Sequence, residues 1–168
     1  MCFVITIAVP AGEADAIRAA FAAPGLDIEP TPNPSAHAAA GPGRVPLLIT
    51  GGGCSCAWYR RPPDDDARTQ RLLKRAAKEG WSRAKTERAL APASRVKDAS
   101  VGLHPVIVEL LRAVVGRHGP VAVWVHDFHG RFDTEAYECP RTETASPVTL
   151  AGVSARTGPD TIIEIAPG

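Results

Sequence analysis

The sequence predicts an α/β fold: a mixed sheet of about five strands, with helices packed on it and a basic helical hairpin appended. Residues 2–9 are apolar on both alternating sets, Phe3, Ile5, Ile7 and Val9 on one and Cys2, Val4, Thr6 and Ala8 on the other. A strand covered on both faces reads this way, as the interior strand of a layered sheet does. Residues 121–128, Val-Ala-Val-Trp-Val-His-Asp-Phe, form a second such run. Elsewhere apolar residues recur at helical spacing, Ile17, Ala20 and Phe21 in one stretch and Ile107, Val108, Leu111, Val114 and Val115 in another.

The first strand leads into a helix over 12–23, with Glu13 and Asp15 in the opening turn, where the helix dipole favours acids. Pro24-Gly25 ends it. Residues 29–46 hold five prolines and two glycines, with His37 among alanines, and predict a long extended or mobile loop. A short strand is expected over 45–50. Gly51-Gly52-Gly53 and Cys54-Ser55-Cys56 follow, with a return to strand near Trp58-Tyr59. Over 64–91 an acidic opening, the pair Leu72/Leu73 with Ala76/Ala77, and Gly80-Trp81-Ser82 predict two helices joined by a tight turn. A helix over 104–118 precedes the strand 121–128, and His129-Gly130-Arg131 suggests a turn. Two short strands, 147–153 and 160–166, complete the chain, read as a single domain over 1–168.

Composition narrows the function classes. The 168 residues carry 19 Lys+Arg against 18 Asp+Glu, with 45% hydrophobic and 22% charged residues, which describes a globular chain. No window approaches the roughly 20 apolar residues of a membrane span. The start lacks the basic segment of a secretory signal, and four cysteines are too few for a disulfide scaffold, so a reducing, cytoplasmic setting is expected. The excess of Arg over Lys, 15 to 4, together with abundant alanine, suits a GC-rich bacterial genome and carries no mechanism.

Charge is unevenly spread. Residues 60–97 hold 12 basic against five acidic side chains, while the flanking segments are net acidic. Arg71, Arg75 and Lys78 recur at i, i+4, i+7 and form one basic stripe, suited to an acidic protein or a phosphate-bearing partner. A plain solvated helix face gives the same pattern. The shortness of the second helix and the lack of a third upstream argue against a sequence-specific DNA reader.

Cys54-Ser55-Cys56 is the most specific local motif. In extended backbone, i and i+2 share a face, so the two thiols stand side by side, within reach of one ion or one oxidant. His126 and His129 offer a second half-site. If the two segments lie on neighbouring strands, two thiolates and two imidazoles make a tetrahedral set suited to Zn²⁺. The competing interpretation is a pair of small buried cysteines beside a polar strand end. A thiol-redox switch at Cys54 and Cys56 is a further alternative, with Arg60 and Arg61 near enough in sequence to favour a thiolate. Cys2 directly follows Met1, as the nucleophile of an N-terminal nucleophile hydrolase does. Phe3 stands where such enzymes usually carry glycine, so Cys2 is read as a small buried strand residue. No Gly-x-Ser-x-Gly frame, P-loop or dinucleotide fingerprint is present, and no residue is assigned a catalytic role. Three classes follow: a Cys/His zinc protein, a thiol switch, and a non-enzymatic interaction module using the basic helices.

Overall fold

The computed structural model describes residues 2–21, 26–51, 53–60, 65–90 and 101–168. They fall into two units, one formed by residues 1–61 with 100–168 and the other by residues 62–99.

The first unit is a mixed six-stranded sheet in the order β2-β3-β1-β6-β8-β7. Its strands are β1 (Cys2–Pro10), β2 (Asp27–Pro30), β3 (Arg44–Thr50), β6 (Val121–Phe128), β7 (Arg141–Ala145) and β8 (Thr161–Ile165). A separate two-residue pair joins β4 (Tyr59–Arg60) to β5 (Gly102–Leu103). The main sheet thus has one strand more than expected: β2 and β7 were not anticipated, and the strand expected over 147–153 is absent from it. The β7 sequence, Arg-Thr-Glu-Thr-Ala, is polar enough to sit at an edge, where it pairs parallel with β8. All other pairings in this sheet are antiparallel.

β1 is interior, with β3 on one side and β6 on the other, as its two apolar faces require. Ile5, Ile7 and Val9 face the larger core, where they meet α1 (Ala14–Ala20), α5 (Pro105–His118) and α6 (Leu150–Arg156). On the opposite face, Ala8, Ala122 and Trp124 pack against Ala36 and Ala40 of α2 (Pro34–Ala40).

Two stretches depart from the sequence expectation. The Pro-rich segment 29–46 is largely regular: it closes β2, forms α2 and opens β3. Asn33 caps α2, its Oδ1 accepting the Ser35 and Ala36 N–H groups at 2.8 and 3.2 Å, and Pro34 occupies the first turn, where its missing N–H costs nothing. The alanines then propagate the helix, and Gly41 ends it at φ 76°. Composition obscured this because each proline stands at a boundary or on a strand. The second departure is 147–153, expected as a strand and found as the entry to α6. Leu150, Val153 and Ser154 lie at i, i+3, i+4 and are buried, and the Ser146 and Thr149 side chains bond each other's backbone N–H groups ahead of the helix. The helix expected over 12–23 is a 3₁₀ turn at Ala11–Glu13 followed by α1; residues 22–25 lie outside the described residues.

The second unit contains α3 (Asp65–Glu79) and α4 (Arg83–Leu90), the anticipated helical pair. Gly80 turns the chain at φ 62°, and Ser82 Oγ accepts the Lys85 N–H. Among the described residues no helix is long and apolar enough to cross a membrane.

Candidate metal centre

Cys2, Cys54 and Cys56 come together at one end of the sheet, with their three sulfurs all within 4.8 Å of one another. The placement follows from how the chain leaves β3. The β1–β3 register runs from Pro10↔Arg44 to Ile5↔Ile49, so beyond Ile5 the β3 side of β1 has no strand partner. The segment 53–56 takes that place. Ser55 donates its backbone N–H to Phe3 O at 2.7 Å, its Oγ accepts the Ile5 N–H at 2.7 Å, and its hydroxyl donates to Ile49 O. Ser55 is wholly buried. The turn is closed by Gly51 N–H donating to Cys54 O at 2.8 Å, and Gly53 supplies φ 100°, a backbone conformation that glycine alone adopts without cost. With Ser55 directed into the sheet, its two cysteine neighbours are left at the surface beside the start of β1.

Cys2 and Cys54 are half-buried and Cys56 is exposed; all are free thiols. Cys54 is held below the ordinary thiol range, first by the backbone N–H of Cys56 and then by the Cys56 thiol, against lost hydration, with the Cys2 thiol adding the least. Lost hydration raises Cys56, and its bond to Cys54 adds to that, while the Phe3 N–H works in the opposite direction. Backbone N–H groups aimed at sulfur stabilise thiolates, and a bound cation requires thiolates. The three thiols lie near enough to one another to hold one metal ion.

The histidines proposed for that centre stand elsewhere. Cys2 lies opposite Phe128, whereas His126 is opposite Val4, two residue pairs further along the strands. His126 shares a face with Trp124 and Phe128, as strand alternation predicts, but both ring nitrogens already face carboxylates. Nδ1 is 2.5 Å from Asp160 Oδ1 and Nε2 is 3.4 Å from Glu135 Oε1, with the Tyr137 ring stacked at 4.0 Å. Burial alone would lower His126, but Asp160 and then Glu135 outweigh it, and its pKa is raised. His129 contributes a backbone N–H to Glu135 at 3.0 Å. Neither histidine belongs to the three-sulfur group. Cys2, read from sequence as a strand filler, does belong to it. Its signal was available: a loop returning along β1 would bring Cys54 and Cys56 to the strand's first residue. Cys139 is separate, and burial pushes its thiol up to about 12.

Arg71, Arg75 and Lys78 lie on the exposed side of α3, opposite the buried Ala76. Arg75 Nε pairs with Glu79 at 2.8 Å. On the adjoining turn, Lys85 Nζ lies 4.3 Å from the Trp81 ring centroid.

Comparison with known proteins adds no functional assignment: no family model, no curated protein and no solved structure matches this chain.

Proposed function

We propose that this protein binds a transition-metal ion, Zn²⁺ in the first instance, through Cys2, Cys54 and Cys56. The convergence of three thiols within 4.8 Å carries the reading. Thiolate donors select thiophilic ions such as Zn²⁺ and Cu(I) over the hard cations that prefer oxygen. Bridging the first residue of β1 to the segment after β3, the ion would add a cross-link between parts of the chain more than 50 residues apart, and its binding energy would contribute to folding. Four free thiols suit a reducing compartment, and the cytoplasm is the setting proposed.

The test is metal content, by elemental mass spectrometry, of full-length protein purified without chelator. About one zinc per chain is expected, with marked loss in Cys2→Ser, Cys54→Ser and Cys56→Ser and retention in Cys139→Ser. Zinc retained at full stoichiometry in all three ligand variants would overturn the assignment.

The same sulfurs support a second reading as a thiol switch, favoured by the lowered pKa of Cys54 beside two further thiols. Attack of the Cys54 thiolate on a hydroperoxide would give a sulfenic acid and release an alkoxide or hydroxide. Attack by Cys2 or Cys56 would then form a disulfide and release water. Loss of two free thiols on peroxide treatment, restored by a dithiol, would support it; unchanged thiol counts would exclude it. The basic stripe of α3 is proposed as a contact for an acidic or phosphate-bearing partner. Arg71→Glu should weaken such an association, and the association itself should weaken as salt rises.

A further inference from the structure

We propose that residues 129–140, the segment between β6 and β7, form a proton-operated strap. The strap lies bound to the sheet while the His126 imidazole is doubly protonated, and it comes away when one of the two protons leaves. The proposal is independent of the metal and thiol readings above.

A count of hydrogens leads to it. Nδ1 of His126 is 2.5 Å from Asp160 Oδ1, and Nε2 is 3.4 Å from Glu135 Oε1. Both partners are acceptors, so both nitrogens must carry hydrogen, and only the imidazolium does. A neutral imidazole keeps one N–H. The shorter contact holds it on Nδ1, and the Nε2 lone pair then faces a carboxylate oxygen. With His126 only 8% exposed, that repulsion is poorly screened by water.

The two carboxylates differ in what else they hold. Asp160 is fixed to β6 through its backbone, its N–H donating to Val125 O at 2.8 Å while the residue stands at φ 60°, uncommon outside glycine. Glu135 belongs to the strap, and so do its other partners, the backbone N–H groups of His129 and Gly130. Its charge stays satisfied when the strap moves, so Glu135 is the partner that leaves. The Tyr137 ring, stacked on the imidazole at 4.0 Å, leaves with it. The polar ties that remain join neutral groups and are weaker than charge-assisted bonds. Asn33 Nδ2 donates to Phe132 O and Glu135 O, Ser35 Oγ accepts the Tyr137 N–H at 3.0 Å, and Trp124 Nε1–H donates to the Tyr137 hydroxyl at 3.2 Å. Release uncovers the smaller core, where Tyr137 and Cys139 pack with Trp124.

The other groups around the imidazole leave this balance to Asp160 and Glu135. β1 presents Val4 opposite it, with Cys2 across from Phe128. His37, the titratable residue of α2, has its Nε2 2.9 Å from Thr31 O. Glu164 of β8 lies opposite Ala122 and pairs with Arg44 at 2.7 Å. Asp127 alternates to the other face of β6. Within the strap, Arg131 pairs with Asp133 at 2.7 Å, and His129 and Glu138 are exposed. Burial pushes the Tyr137 hydroxyl and the Cys139 thiol each up to about 12, so both stay neutral while the imidazole titrates. The proton goes to solvent and no covalent bond changes. The strap is therefore held at low pH and freed as pH rises.

The experiment follows amide exchange and the His126 imidazole titration by NMR on the full-length chain, from about pH 5 to pH 9. Tyr137 amide protection, corrected for the intrinsic pH dependence of exchange, should fall about tenfold or more, with the midpoint of the His126 titration. Contacts between the Tyr137 and His126 rings should fade over the same range. Glu135→Gln replaces the charge with an amide that a neutral imidazole does not repel, and should flatten the step. His126→Gln should show low protection at every pH. Tyr137 protection that stays level through the His126 titration, or a step of the same size in Glu135→Gln, would overturn the proposal.

Discussion

Ser55 Oγ accepts the backbone N–H of Ile5 at 2.7 Å, across 50 residues of sequence and with the serine wholly buried. A side chain here does the work of a strand, continuing the β1 ladder past the end of β3. The cysteines on either side of it are aligned with Cys2 as a result. The geometry of the candidate site thus depends on a residue that would never touch the ion.

Ser55→Ala should therefore be costly. It removes the partner of the Ile5 N–H and the donor to Ile49 O, both in the interior. Leaving two buried backbone groups unsatisfied predicts a loss of about 2–4 kcal/mol in urea unfolding. Metal affinity should fall in the same variant, although every sulfur remains. A loss below about 0.5 kcal/mol would show that the hydroxyl does not anchor the turn.

Thiol reactivity in metal-free protein should follow the order that the surroundings impose. Cys54, held below the ordinary thiol value by the Cys56 N–H and the neighbouring thiols, should be alkylated at a pH where Cys56 is still slow. Cys139, pushed up to about 12 by burial, should react last, and only with denaturation at neutral pH. Mass spectrometry of a timed alkylation series distinguishes the sites. Added Zn²⁺ should protect Cys2, Cys54 and Cys56 while leaving the slow reaction of Cys139 unchanged.

His126 should titrate above the ordinary imidazole value of 6.5, because Asp160 and Glu135 overcome the effect of burial. The sign follows from linkage. A folded-state pKa raised above the unfolded value gives stability that is fully present below 6.5 and is lost as pH rises through the folded pKa. The stability difference between the native chain and His126→Gln should accordingly shrink on going from about pH 6 to pH 9. Asp160→Asn should bring the His126 imidazole titration, followed by NMR, to lower pH. An unchanged titration would mean that the Asp160 contact does not set the proton affinity.

Gly102→Ala should be among the most damaging single-methyl substitutions in the chain. Gly102 sits at φ 89°, and an added Cβ would meet the Ser154 carbonyl carbon and oxygen at 2.5 Å and the Ala155 nitrogen at 2.7 Å. Each of these is backbone, so no side-chain rotation relieves the clash. Roughly 3 kcal/mol or more should be lost in thermal or urea unfolding. Gly116, with open space around its position, is the control, and its change to Ala should be neutral or stabilising.

The sequence by itself determined the elements whose burial is written into their own periodicity. β1 and β6 were legible because both faces of each are apolar, and α5 because its buried residues recur at helical spacing. The helical pair α3 and α4 was legible from its turn and its stripes. The motif Cys54-Ser55-Cys56 stood out for the same kind of reason, as a local pattern with a local meaning. What lay beyond local pattern was decided only by tertiary structure. α2 was hidden because its stability comes from an Asn33 cap and from Ala36 and Ala40 fitting against Trp124, not from an apolar stripe. β7 was hidden because an edge strand need not be hydrophobic. The third sulfur came from the strand register: Cys2 is opposite Phe128, and Ser55 binds Phe3 and Ile5. These pairings put Cys2 beside Cys54 and Cys56 and leave His126 beside Val4, between two carboxylates. Register is a relation between distant segments, fixed by the cooperative matching of backbone hydrogen bonds and side-chain faces. No single stretch of sequence contains it, so the tertiary structure had to choose between the histidines and Cys2.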